Sequence, residues 1–328
     1  MAAPVVDCQT HLFPTPYAEL LTRNTGTPVT RREGGAYVSD YGTAQFRLDE
    51  EAYSVARKLR DMDAAGVDVS VVSVNMPGPE QLDDELAEEA AQVCNDALAE
   101  ACAANPHRMV GLACLPWQLP EAALAELDRA HEQLGMRGVM LYSHVAGGPV
   151  DAEASEPIFA ELARRGLPLV MHPCVPPWAG DFADYTMVPM LGLMVDHSLA
   201  TLRLVLSGVL ERHPTMRVVQ PHCGGVLPYL WGRIRHQTEV MKRGVGRLAS
   251  PAAATELYRR VYLDTASPWP LALRLAYEWA GAERLLFSSD HPWVEIQLLL
   301  DCLAELRLPT DVHQRILGGN ACQLFAIR

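Results

Sequence analysis

Asp7-Cys8-Gln9-Thr10-His11-Leu12-Phe13-Pro14 follows the first β-branched run of the chain and decides between two folds. A doubly wound α/β sheet places a glycine-rich phosphate turn after its first strand, and this stretch contains no glycine. Working outward, eight short runs have strand character: Val5–Cys8, Val67–Val74, Met109–Leu115, Gly138–Tyr142, Leu167–Met171, Arg217–Gln220, Val261–Leu263 and Leu285–Ser288. Several are apolar throughout, as strands buried on both faces must be. Between them lie Ala-, Leu-, Glu- and Arg-rich stretches with helical spacing: Glu50–Ala65, Asp83–Ala104, Glu121–Leu134, Glu153–Arg165, Leu199–His213, Leu271–Ala280, Glu295–Leu306 and Asp311–Phe325. Strand followed by helix, eight times over, predicts an α/β fold: a closed (β/α)8 TIM-type barrel. Thr15–Leu48 is expected as a long loop insertion after strand 1, and Pro173–Met194 as a second loop over the barrel mouth. No linker or low-complexity tract divides the chain, so residues 1–328 are expected to form one domain.

Composition narrows the function. A net charge of −13 leaves no basic stripe for phosphates, which argues against nucleic acid as a partner. It does not exclude a small carboxylate substrate, because one local arginine can hold such a group. The N-terminus has neither a basic segment nor a long apolar run, so neither a signal peptide nor a membrane span is expected. The 8 cysteines are scattered without a C-x-x-C pair and read as reduced, mostly buried thiols in a cytoplasm.

In a parallel barrel the C-terminal strand ends share one mouth, where catalytic residues gather. Strand one ends in Gln9 and His11, strand five in His172, strand six in His222 and strand eight in Asp290; strand seven adds Asp264. A single histidine in such a place is more often a satisfied structural residue than a ligand. Three histidines and an aspartate at matching strand ends are harder to explain that way. His107, His131, His144, His197, His213, His236 and His313 take the structural reading, and His291 is read as orienting the loop next to Asp290.

Asp-x-Gln-x-His on strand one, the strand-five histidine, His-Cys-Gly-Gly-x-Leu-Pro-Tyr from His222 and the final Ser-Asp-His-Pro together resemble the amidohydrolase superfamily. The resemblance is to its amidohydrolase-2 branch, typified by aminocarboxymuconate semialdehyde decarboxylase. It runs from Asp7 to about Phe325 and includes Arg60–Asp68 and Gly319–Ala321. It implies one divalent metal, commonly zinc and sometimes manganese, held by His11, His172 and Asp290, with His222 as acid/base residue. Imidazole and carboxylate suit such metals. Where the branch usually has His-x-His, this chain has Gln9-Thr10-His11. Alternation along a strand puts Gln9 and His11 on one face, so Gln9 is expected as a weaker, harder fourth ligand, with a weak or metal-free site left open. Arg47 falls where the resembled decarboxylase has an arginine for a substrate carboxylate; the other reading is a surface arginine. Trp178, Trp269 and Trp293 are candidates for an aromatic pocket, with Trp178 assigned to substrate binding.

The activity expected is carbon–carbon lysis: loss of carbon dioxide from a small aromatic or enoic acid, with Asp290 or His222 passing a proton to carbon. A hydrolase or hydratase of the same superfamily is the second reading, and a metal-free barrel scaffold the third. Homo-oligomers are common among such proteins, and one is open here.

Overall fold

A computed structural model describes residues 3–327. Its barrel strands are β1 (Val6–Leu12), β2 (Val69–Val74), β3 (Met109–Gly111), β4 (Val139–Tyr142), β5 (Leu169–His172), β6 (Val218–Gln220), β7 (Tyr262–Asp264) and β8 (Leu285–Leu286). They pair in parallel as two ladders, β1-β2-β3 and β4-β5-β6-β7-β8. Two seams join the ladders. On one side Ala113 bridges Val139 just past β3. On the other, the chain beyond β8 runs along β1: Cys8 N donates to Phe287 O (2.9 Å), Asp290 N to Gln9 O (3.0 Å) and His11 N to His291 O (2.8 Å). The eight strands thereby form the expected closed ring, packed inside and out with apolar side chains.

The strand positions depart from expectation mainly at their ends, and those ends matter. β1 continues four residues past Cys8, so Gln9 and His11 lie within the strand. The β1–β2 register slips between Asp7 and Thr10, which places Gln9 at a bulge, a device that re-aims a side chain. β5 likewise includes His172.

The expected loop Thr15–Leu48 is instead a structured insertion. It carries a helix, Thr15–Leu21, and a three-stranded antiparallel sheet of Val29–Glu33, Ala36–Asp40 and Gln45–Asp49. Its turns are short, with Gly34 (φ 63°) and Gly42 (φ 78°) supplying the left-handed positions, and Tyr37, Phe46 and Leu48 are buried. Pro173–Met194 is also not open loop: short helical turns lead into the helix Leu193–Leu206. By length and mean hydropathy (1.2) Asp184–Leu206 passes for a membrane span. Tyr185 and Thr186 (φ 55° and 59°) break the helix near its start, and 56% of its most apolar part is buried, with Leu193–Leu206 packed on β5 and β6 as in a core helix.

Candidate metal and active site

His11 on β1 is fully buried, and its position is fixed from two sides. Nδ1 lies 3.2 Å from Ser73 Oγ on β2, its register partner, and Nε2 lies 3.0 Å from Asp290 Oδ1. His172, at the end of β5, donates from Nδ1 to Pro173 O (2.7 Å). That hydrogen bond uses the only proton of a neutral ring, so Nε2 presents a lone pair, 3.2 Å from His11 Nε2. Burial, with His11 beside it, pushes the His172 imidazole down to about 3, which keeps it in the neutral, metal-binding form. Asp290 is turned into this group by a left-handed backbone (φ 61°). For Asp290 burial raises the carboxyl, but the His11 hydrogen bond and the surrounding histidines outweigh it, and the group stays below the usual range.

One ligand atom from each of His11, His172 and Asp290 therefore falls within 4.8 Å of the others. Lone pairs of two imidazoles and a carboxylate facing one another suit a cation between them. Gln9, two residues before His11, is 1% exposed, and neither its amide oxygen nor its amide nitrogen has a hydrogen-bond partner among the described residues. An unpaired buried amide is costly, and a metal or substrate at this mouth would relieve it. The residues present fit a divalent ion.

His222 faces the same cavity. Its Nδ1 donates to Ala266 O (2.9 Å), leaving Nε2 free to exchange a proton, and its backbone N–H donates to Asp264 Oδ1 (2.7 Å). Asp264 is thus a support beneath His222; burial pushes its carboxyl up to about 6. The sharp turn through His222 and Cys223 (φ 53° and 57°) ends at Gly225, where a Cβ would collide with Ser198 Oγ and the His197 ring. The motif His-Cys-Gly-Gly is what lets this turn sit against the helix.

Asp290, His172 and His222 line a cavity of 180 Å³ whose remaining walls include Phe46, Met76, Leu193, Met194 and Trp293. A larger hollow of 630 Å³ contains none of these three residues. Tyr41, which lines it, packs edge-on against Phe46 of the smaller cavity. Donor chemistry, not size, identifies the site.

Two expected substrate contacts are not part of the cavity lining. Arg47 is exposed, with Glu33 O (3.5 Å) as its one partner among the described residues. Side chains alternate across the strand Gln45–Asp49, so Phe46 takes the inward place and Arg47 the outward one. Trp178 packs on Phe182 outside the cavity, Trp269 is exposed, and Trp293 is the tryptophan in the wall.

Other residues now have roles that sequence reasoning missed. Asp7 accepts from Ser289 N (2.9 Å) and Ser289 Oγ (2.5 Å), anchoring the segment that carries Asp290. His291 does orient that segment: Lys58 Nζ is 2.8 Å from its Nδ1 and donates to its carbonyl (3.0 Å), while Asp61 lies 2.7 Å from Nε2. Lys58 is fully buried, and burial pushes its ammonium down. Lys58 shares the buried face of its helix with Met62, four residues on, and a lysine at that spacing is the one available signal. His197, read as structural, is buried with Nε2 unpaired and its ring 5.5 Å from that of His222.

A closed parallel barrel with two histidines and a carboxylate converging at its C-terminal mouth defines a class of metal-site barrel proteins. Within it, residues 6–327 match the amidohydrolase family, and the chain belongs to that family. It is 28% identical to the 6-methylsalicylic acid decarboxylase of Penicillium expansum, over 98% of this chain and 95% of that protein. Its fold superposes on 5-carboxyvanillate decarboxylase from Sphingomonas paucimobilis with a TM-score of 0.87 at 24% identity, covering 100% of both chains. It also superposes on a dihydroxybenzoic acid decarboxylase from Polaromonas, solved with manganese and the inhibitor 2-nitroresorcinol (TM-score 0.83, 24% identity, 99% and 97% covered).

Proposed function

We propose that this protein is a metal-dependent carboxy-lyase that removes carbon dioxide from a small aromatic carboxylic acid. The observation that carries the reading is the convergence of His11 Nε2, His172 Nε2 and Asp290 Oδ1 beside a small, largely apolar cavity. The relative named for 6-methylsalicylic acid, matched over nearly the full length of both chains, supports the same chemistry.

In this reading His11, His172 and Asp290 hold the metal, and Gln9 adds a weak amide-oxygen donor. A divalent cation held there would supply Lewis acidity, drawing off negative charge that develops on the substrate. Two imidazoles favour zinc, whereas carboxylate and amide oxygens are harder donors and bring manganese into competition. Phe46 and Trp293 stack the ring and exclude water. His222, with Nδ1 tied to Ala266 O, delivers a proton from Nε2 to the ring carbon bearing the carboxylate. The carbon–carbon bond then breaks, carbon dioxide leaves, and its bonding electrons restore the aromatic ring. Asp290, held as an anion by His11, serves as ligand and orients this exchange. We further propose one domain over residues 1–328, a cytoplasmic location in keeping with eight free cysteines, and self-association through exposed apolar side chains such as Tyr185, Met190 and Tyr229.

The test is metal analysis of the purified protein, combined with a screen of hydroxybenzoic acids for released carbon dioxide and the decarboxylated phenol. Bound zinc or manganese with phenol formation is expected. A hydrated or hydrolysed product instead would assign the site to the second reading. A protein without affinity for either metal would return it to a scaffold.

A further inference from the structure

The cavity that meets the candidate ligands is as informative in its charge as in its shape. Its polar lining side chains are Asn75, His172, His222 and Asp290; among the described residues no arginine or lysine lines it. Arg47 points outward, and Lys58 commits its ammonium to His291. Asp264, buried beneath His222 with Oδ2 unpaired, adds negative character to that end of the site. A divalent cation would offset the Asp290 carboxylate and one substrate carboxylate, and with Asp264 behind His222 it leaves no positive charge over. A second carboxylate on the ring would lie against Phe46, Leu193, Met194 or Trp293 with no guanidinium or ammonium to receive it, and an unpaired buried charge is strongly disfavoured. At 180 Å³ the chamber is also smaller than the ~300–1,000 Å³ usual for drug-sized ligands. It holds one ring with small substituents.

We infer that the cavity selects an aromatic acid carrying a single carboxylate, its other substituents small and uncharged, with Phe46, Leu193, Met194 and Trp293 as the specificity-determining wall. The inference rests on the proposed carboxylic-acid substrate, and it adds which acids are rejected. Rejection comes from what the wall lacks, a form of discrimination that needs no added contact with the preferred substrate.

The experiment uses the full-length, metal-loaded protein. Two 2-hydroxybenzoic acids that differ only in a methyl or a carboxylate at the same ring position are compared for carbon dioxide release. Binding of these same two acids, the methyl and dicarboxylate analogues, is compared by calorimetry with the wall unaltered, in His222→Asn, which should keep its metal and turn over too slowly to consume them. We expect the methyl analogue to bind at least about tenfold more tightly, the scale set by one uncompensated charge, and kcat/KM to follow the same order. Met194→Arg, at a partly exposed wall position, should narrow or reverse the ratio by giving the second carboxylate a partner. Equal or tighter binding of the dicarboxylate analogue with the wall unaltered, or binding of neither, overturns the inference. Discrimination in binding without carbon dioxide release overturns the lyase reading and leaves the charge selection standing.

Discussion

His222 and Asp290 hold φ of 53° and 61°, a region that costs non-glycine residues energy and that concentrates at functional sites. In each the turn aims the side chain at the cavity instead of continuing a strand or helix. Individual roles separate by substitution. His172→Ala and Asp290→Ala should each lose most bound metal yet keep a cooperative thermal transition, because they remove proposed ligands at the mouth and leave the barrel interior intact. Full metal occupancy in both would move the site elsewhere. His222→Asn should retain metal and lose roughly 10²–10⁴-fold in kcat, the range for a lost proton-transfer group; near-normal turnover would exclude it from the chemistry. Gln9→His asks whether the departure at the first ligand position has consequences. An imidazole binds zinc more tightly than an amide oxygen, so chelator-driven zinc loss should slow. Unchanged loss would mean that the unpaired Gln9 amide serves substrate alone.

Elements decide which of these residues could be read without coordinates. His11, His172 and Asp290 stand out because each is a polar residue where an apolar barrel strand reaches the mouth, a place fixed by the repeat itself. Arg47 lies outside the cavity lining because its strand belongs to an inserted antiparallel sheet, whose facing cannot be inferred from the barrel period. A shift of one residue exchanges Phe46 for Arg47. The pairing of Asp7 with Ser289 and of Lys58 with His291 is legible only once β1 and the helix Val55–Ala65 are seen beside the segment after β8, since each pair is more than 230 residues apart in the chain. The facing predicts a contrast. Arg47→Ala should leave kcat/KM within about twofold, as exposed substitutions generally do. Phe46→Ala should raise KM roughly tenfold or more by removing an aromatic wall. The reverse order would show that the insertion rearranges when substrate binds.

Across the whole molecule, buried ionisable groups set how stability depends on pH. Glu80 is 1% exposed; its Oε1 accepts from Tyr142 N (3.0 Å) and its Oε2 has no partner. Burial pushes this carboxyl up to about 8 from an ordinary 4.5. The folded protein therefore holds a proton that the unfolded chain releases, and this group's contribution falls as pH rises from about 4.5 to about 8, then levels. Glu80→Gln should remove that decline, with Tm roughly 3 °C or more above wild type at pH 9 and little gain at pH 4.5. Equal Tm values across the range would show the carboxyl to be ionised and compensated. The seam between β1 and the chain beyond β8 has a different consequence. His11 and Asp290 meet across it, separated by 279 positions in the chain. During synthesis, then, His11 and His172 emerge from the ribosome long before their carboxylate partner, and a nascent chain stopped short of Asp290 has neither a closed barrel nor all three of the proposed metal donors. For the proposed site, metal acquisition is thereby placed at the last stage of making the protein.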